Sequence, residues 1–198
     1  MEKCIVIDFE TTGLSPGQDR AIEVAAVLIE NGIVRDRFQS LMNPGKRMSS
    51  FIESYTGISN EMLKDAPSND KAIRELLSFV GKSPLVAHNA SFDKRFLEYE
   101  VAKAGKSLDV QIACSLLVSR RIYEEAPNFR LQTLVEMHKL DVSGKFHRAL
   151  ADAEMTASLW LKMKQDIQKK YKLKEVTFEF MHTFGKTPKS KLHKLIPN

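Results

Sequence analysis

Cysteine is nearly absent from this 198-residue chain, which carries only Cys4 and Cys114. Both sit in apolar stretches with no metal-like spacing around them, which argues against a disulfide framework or a structural zinc site. Each reads as a buried free thiol, in keeping with a reducing cytoplasm. Long hydrophobic runs are missing too. Nothing approaches the roughly eighteen uninterrupted apolar residues of a membrane span. The opening Met1-Glu2-Lys3 leads straight into a strand-like segment and lacks a signal-peptide pattern. No membrane partner and a cytoplasmic location are therefore expected. Internal repeats and low-complexity linkers are also lacking. What remains is ordinary globular composition, 43% hydrophobic and 28% charged, in a chain long enough for one well-cored domain.

The net charge of +5 is unevenly placed. From Lys162 to Asn198 ten lysines stand against Asp166, Glu175 and Glu179, so this segment carries +7 and the rest of the chain −2. A basic C-terminal segment can attract a polyanion, but a solvated helix face carries the same charges.

Strand-like segments come first: Lys3–Phe9, Ala21–Ile29 and Ile33–Leu41, the last two flanking Asn31-Gly32, a hairpin signal. Short helical pieces follow around Ser50–Tyr55 and Asn60–Lys64. A longer helix, Ser68–Val80, opens on a capping serine and stops at Gly81. Pro84–Ala87 reads as a strand and Ser91–Ala104 as a helix closed by Gly105. Further helices are predicted near Gln111–Tyr123, Leu131–His138 and Arg148–Tyr171. The order implies an α/β domain, residues 1–171, with a mixed sheet covered by helices, followed by a basic extension, residues 172–198. The stretch from Gly185 to Lys191 is loosely composed and marks the expected end of compact structure.

The chemistry begins at "IVIDFETTG". An apolar strand ends in Asp8 and Glu10, and residues at i and i+2 of a strand share a face. Two carboxylates that close repel each other. A strand end facing water would explain them, but Thr11-Thr12-Gly13 follows at once with backbone donors and hydroxyls suited to a phosphate ester. In "LVAHNASFD" a second apolar strand delivers His88 and Asn89, and Asp93 falls in the first turn of the next helix. By itself Asp93 fits a dipole-favoured helix start and His88 a structural histidine. In "HRALAD", His147 precedes a helix and Asp152 lies in its first turns, a spacing that carries little alone. The three together say more. Four clustered carboxylates stay ionised only if cations neutralise them, and hard oxygen ligands select Mg²⁺ or Mn²⁺. Two such ions can clamp a phosphodiester undergoing in-line displacement.

"DFETTG", "HNASFD" and "HRALAD" resemble, in this order, the three motifs of the DEDDh-type (DnaQ-like) 3′–5′ exonucleases, the group of proofreading exonucleases and RNase T. "TGISNEML" (Thr56–Leu63) and "NFRLQTL" (Asn128–Leu134) sit where that family carries similar stretches, and the likeness covers roughly Lys3 to Lys164. The resemblance implies a ribonuclease H-like α/β fold with a mixed five-stranded sheet. It implies that Asp8, Glu10, Asp93 and Asp152 hold two divalent ions, Asp8 shared between them and Asp93 acting largely through water. His147 matches the general base, a role suited to a side chain that titrates near neutral pH. Phe9, Thr11, Thr56, His88, Asn89 and Phe92 lie where the family lines the pocket for the 3′-terminal nucleotide. Thr11 is a candidate donor to the 3′-hydroxyl or phosphate, and Phe92 packs either a base or the core. One departure stands out: Val110 follows Asp109 where relatives often show Asp-Thr.

The activity so implied is removal of nucleoside 5′-monophosphates from single-stranded 3′ ends, with DNA placed ahead of RNA. An exoribonuclease similar to RNase T or oligoribonuclease shares this chemistry. A non-catalytic module binding a polymerase or nucleic acid is the reading from another class, and the presence of all five reactive side chains speaks against it. "VTFEFMHTF" (Val176–Phe184) gathers three phenylalanines, either to cover the domain's own core or to dock on a partner such as a polymerase.

Overall fold

The computed structural model describes residues 2–140 and 147–196. Its strands are β1 (Lys3–Thr11), β2 (Ala21–Glu30), β3 (Ile33–Leu41), β4 (Leu85–Ala87) and β5 (Ile112–Cys114). They form one mixed sheet in the order β3-β2-β1-β4-β5. The helices are α1 (Ser50–Thr56), α2 (Asn60–Lys64), α3 (Asn69–Val80), α4 (Ser91–Lys103), α5 (Ser115–Ile122), α6 (Leu131–Met137), α7 (Ala149–Tyr171) and α8 (Phe178–Lys186). A 3₁₀ segment, Lys189–Lys194, closes the described chain.

The β2–β3 hairpin turns on Asn31 and Gly32, both at positive φ, as its two-residue loop requires. β1 runs antiparallel to β2 and parallel to β4, so it is flanked on both sides and its strand is buried almost throughout. Alternation along β1 divides the core. Ile5, Ile7 and Phe9 pack with Ala72, Ile73 and Leu76 of α3 and Leu97 of α4. Cys4 and Val6 turn the other way, toward Ala153, Ala157 and Trp160 of α7. Asp8 and Glu10 continue the Cys4–Val6 row, so the pleat sends both acids toward α7 and its first turn.

Most elements fall where the pattern put them, and α3 opens on the Ser68 side chain and stops at Gly81 as predicted. Two expectations are corrected. The segment Gln111–Tyr123 is not one helix: Ile112–Cys114 pairs with β4 as the sheet's parallel edge, and only then does α5 begin. Three residues are too few to show a period of two, so their apolar character merged with the helical pattern behind them. The compact structure also does not end within 185–191. Gly185 and Lys186 belong to α8, and the 3₁₀ segment beyond buries Leu192. Phe178, Met181 and Phe184 are buried in the same cluster as Trp160 and Val118, so α8 covers the domain's own core. Each such side chain contributes on the order of 1.5–3 kcal/mol of burial.

Candidate active site

β1 ends at a cavity of about 810 Å³ whose walls include Asp8, His88, Asn89, His147 and Asp152, residues of all three motifs. Glu10 and Asp93 are both buried, and both act on the Asp8 carboxyl. One ligand atom each from Glu10, His147 and Asp152 lies within 4.8 Å of the others. Asp152 occupies the first turn of α7, where the helix dipole favours an anion. One of its oxygens accepts the His147 backbone N–H at 3.0 Å; the other is buried without a partner among the described residues.

The electrostatics are those of a crowded acid cluster. Asp8 is raised well above the usual carboxylate range, by burial first and then by Asp93, Asp152, Glu10 and Glu23. Glu10 is pushed up to about 8 by burial, Asp152, Glu23 and Asp93, with Arg148 opposing. Asp93 rises to about 7 through burial, held back by its own N–H and that of Phe9. Asp152 rises to about 6, again by burial, with the His147 N–H and charge opposing. Protons alone satisfy such a cluster at acid pH; near neutrality it calls for cations. An orphaned buried oxygen and an all-carboxylate donor set with one imidazole fit hard divalent ions.

Sequence reasoning missed several members of this site. Glu23, fully buried on β2 opposite Glu10, is held by Arg148 at 2.7 Å, by the Ala149 N–H at 2.9 Å and by Gln39 at 2.8 Å. The pair pins the start of α7, and so Asp152, against the sheet. An acid inside the otherwise apolar AIEVAAVLI was the available signal. Tyr55 lies on the His147 ring with centroids 4.0 Å apart. Its phenol is raised by burial and by Glu10 and Asp152, against Arg130. The far wall carries Leu116, Arg120, Phe129, Arg130, Leu131 and Gln132. Part of that wall comes from the Asn128–Leu134 stretch, and Arg120 stands over the Phe129 ring at 5.8 Å.

The nucleotide-pocket candidates divide. His88 and Asn89 line the cavity, Asn89 in the left-handed region at φ 65°. Both His88 ring nitrogens are engaged, by the Ser115 hydroxyl at 2.8 Å and the Phe129 carbonyl at 2.9 Å, and burial holds its pKa down against that carbonyl. The other four stand apart from the cavity walls. Phe9 points into the opposite core because it alternates with the acids. Phe92 is half-buried against Phe96, centroids 5.0 Å apart. The Thr56 hydroxyl donates to Ile52 O and accepts from Ile58 N–H. The Thr11 hydroxyl donates to Gly13 O at 2.6 Å, and Thr12 donates to Asp19. The hydroxyls after the acids therefore serve their own loop. Gly13 is needed there, since a Cβ would come within 2.5 Å of the Asp19 carboxylate.

A family model described as Exonuclease, the RNase T group, matches residues 5–160. The chain is a member of this exonuclease family. The exonuclease chain is 38% identical over 164 residues to the PolC-type DNA polymerase III of Caldanaerobacter subterraneus subsp. tengcongensis, which covers 83% of this chain and 12% of the relative. It is 36% identical over 169 residues to the 3′–5′ exonuclease DinG of Bacillus subtilis, covering 84% and 18%. The chain thus spans less than a fifth of the length of either relative. Among solved structures it is similar to exonuclease X in complex with 5′-overhanging duplex DNA, with a TM-score of 0.72 and 26% identity over 92% of this chain and 99% of that one. The fold is accordingly the ribonuclease H-like one, and exonucleases of this family depend on divalent metal. No helix among the described residues is long and apolar enough to cross a membrane.

Proposed function

We propose that the chain is a 3′–5′ exonuclease that hydrolyses the terminal phosphodiester of single-stranded nucleic acid, DNA ahead of RNA, and releases nucleoside 5′-monophosphates. The mutual proximity of Asp8, Glu10, Asp93 and Asp152, with Asp8, Asp152 and His147 lining one cavity, carries this reading. The four acids would hold two Mg²⁺ or Mn²⁺ ions, which when bound supply Lewis-acid stabilisation of the charge developing on the attacked phosphate. His147 takes the proton of the attacking water. Its backbone N–H is tied to Asp152 and its ring rests on Tyr55, so the imidazole is oriented before substrate arrives. Leu116, Phe129 and Leu131 offer the terminal base an apolar wall, and Arg120 and Arg130 line the same cavity with the charge a phosphate needs.

The likeness to a PolC-type polymerase supports action beside a polymerase. The packing of α8 supports counting residues 172–196 within the exonuclease unit, rather than as an extension that starts at residue 172. The test is a time course on matched DNA and RNA oligomers labelled at the 5′ end, with Mg²⁺, Mn²⁺ or chelator. A descending ladder that requires metal and favours DNA is expected. Products unchanged in excess chelator, or shortening from the labelled end, would overturn the reading.

A further inference from the structure

Next to the active-site cavity lies a smaller one of about 190 Å³, walled by α4, β5, α5 and α8. Asn89 faces the first and Ala90 and Ser91 the second; Leu116 faces the first and Leu117 the second. Adjacent Cα atoms are about 3.8 Å apart, so the two cavities draw on neighbouring residues of the same two segments. No carboxylate lines the smaller cavity. Its polar and charged lining residues include Lys94, Lys186, Ser91 and His182. His182 Nε2 is buried without a hydrogen-bond partner among the described residues.

The cations are placed by packing. Gly185 presses α8 onto α5 so closely that a Cβ would stand 3.1 Å from the Val118 side chain. That contact fixes the end of α8 and with it Lys186. Among the described residues Lys94 pairs only with Glu98, at 3.6 Å between two exposed side chains. Such a pair contributes little, and a phosphate can replace it. Arg120, on the same helix as Leu117, adds positive charge to the wall of the first cavity.

We infer that the smaller cavity is a subsite for a phosphodiester of the substrate strand, upstream of the 3′-terminal nucleotide, with Lys94 and Lys186 as its cations. This rests on the exonuclease reading, and it gives α8 a role in substrate binding beyond covering the core.

The test is binding of fluorescein-labelled oligodeoxythymidylate, followed by anisotropy in chelator across a salt series, for the unmodified chain and for K94Q/K186Q. Losing two phosphate contacts makes the slope of log K against log salt shallower by about 1.4, at about 0.7 per contact on a single strand. A dinucleotide, whose single phosphodiester sits at the acids, shows no such difference. Equal slopes for the two proteins on the long oligomer would overturn the subsite, as would an equal loss on the dinucleotide. Inorganic phosphate that shifts the His182 ring resonances without competing with the oligomer would also overturn it. A wild-type chain that cuts no polymer but keeps the slope difference would remove hydrolysis and retain the subsite.

Discussion

Replacing Glu10 by Gln probes the acid cluster through stability, independently of turnover. In the metal-free protein the Glu10 carboxyl is pushed from 4.5 to about 8, by burial first and by Asp152, Glu23 and Asp93 after it. A carboxyl whose folded pKa lies above its unfolded one penalises the fold when ionised. The penalty is absent below the unfolded value, grows as pH rises, and is complete above the folded value. At about 1.4 kcal/mol per pH unit its ceiling is roughly 5 kcal/mol. The realised figure is smaller, because clustered carboxyls share protons and relieve one another. A gain of about 2 kcal/mol would raise the Tm of a chain this size by roughly 4–8 °C. In chelator, the wild-type chain and E10Q should therefore melt together below about pH 4, and E10Q should melt several degrees higher near about pH 8.5. Comparing the two proteins cancels His88, whose depressed pKa acts the other way and removes stability as pH falls through the ordinary imidazole range. Saturating Mg²⁺ or Mn²⁺ should close or reverse the gap, since the ions bind best to the full carboxylate set. Parallel melting curves at every pH, or an E10Q that melts lower at the alkaline end, would refute the reasoning.

Other outcomes are expected from single changes. Asp152→Ala should abolish cleavage of a 5′-labelled oligomer by orders of magnitude while circular dichroism shows the fold intact. His147→Ala should lower kcat by ~10²–10⁴-fold, with metal binding, followed by calorimetry, largely retained. Arg148→Ala leaves Glu23 without its cation beside the acid cluster, held only by the Ala149 N–H and Gln39; a loss of about 1–3 kcal/mol in urea denaturation is expected. Phe184→Ala opens a cavity where α8 meets the core and should cost about 3–5 kcal/mol by the same measurement; an unaffected midpoint would mean that α8 does not close the core.

The sequence by itself determined the family and much of the frame. Alternation in β1 put Asp8 and Glu10 on one face, Asn31-Gly32 set the hairpin, Ser68 and Gly81 bounded α3, and three ordered motifs picked out acids and a histidine that the fold gathers. These are local signals, written in neighbouring residues and periods of two or 3.6. What only the tertiary structure decided is what meets what across the chain. Glu23 reaches Arg148 across more than a hundred residues, Tyr55 finds His147 from a different helix, and α8 folds back on α5 through Gly185. The three-residue β5 became a strand only because β4 was there to pair with it. Thr11 and Thr12, which the sequence offers to a phosphate, are spent on their own loop once Asp19 closes over Gly13. Side-chain direction and long-range pairing are settled by packing, and no local pattern encodes them.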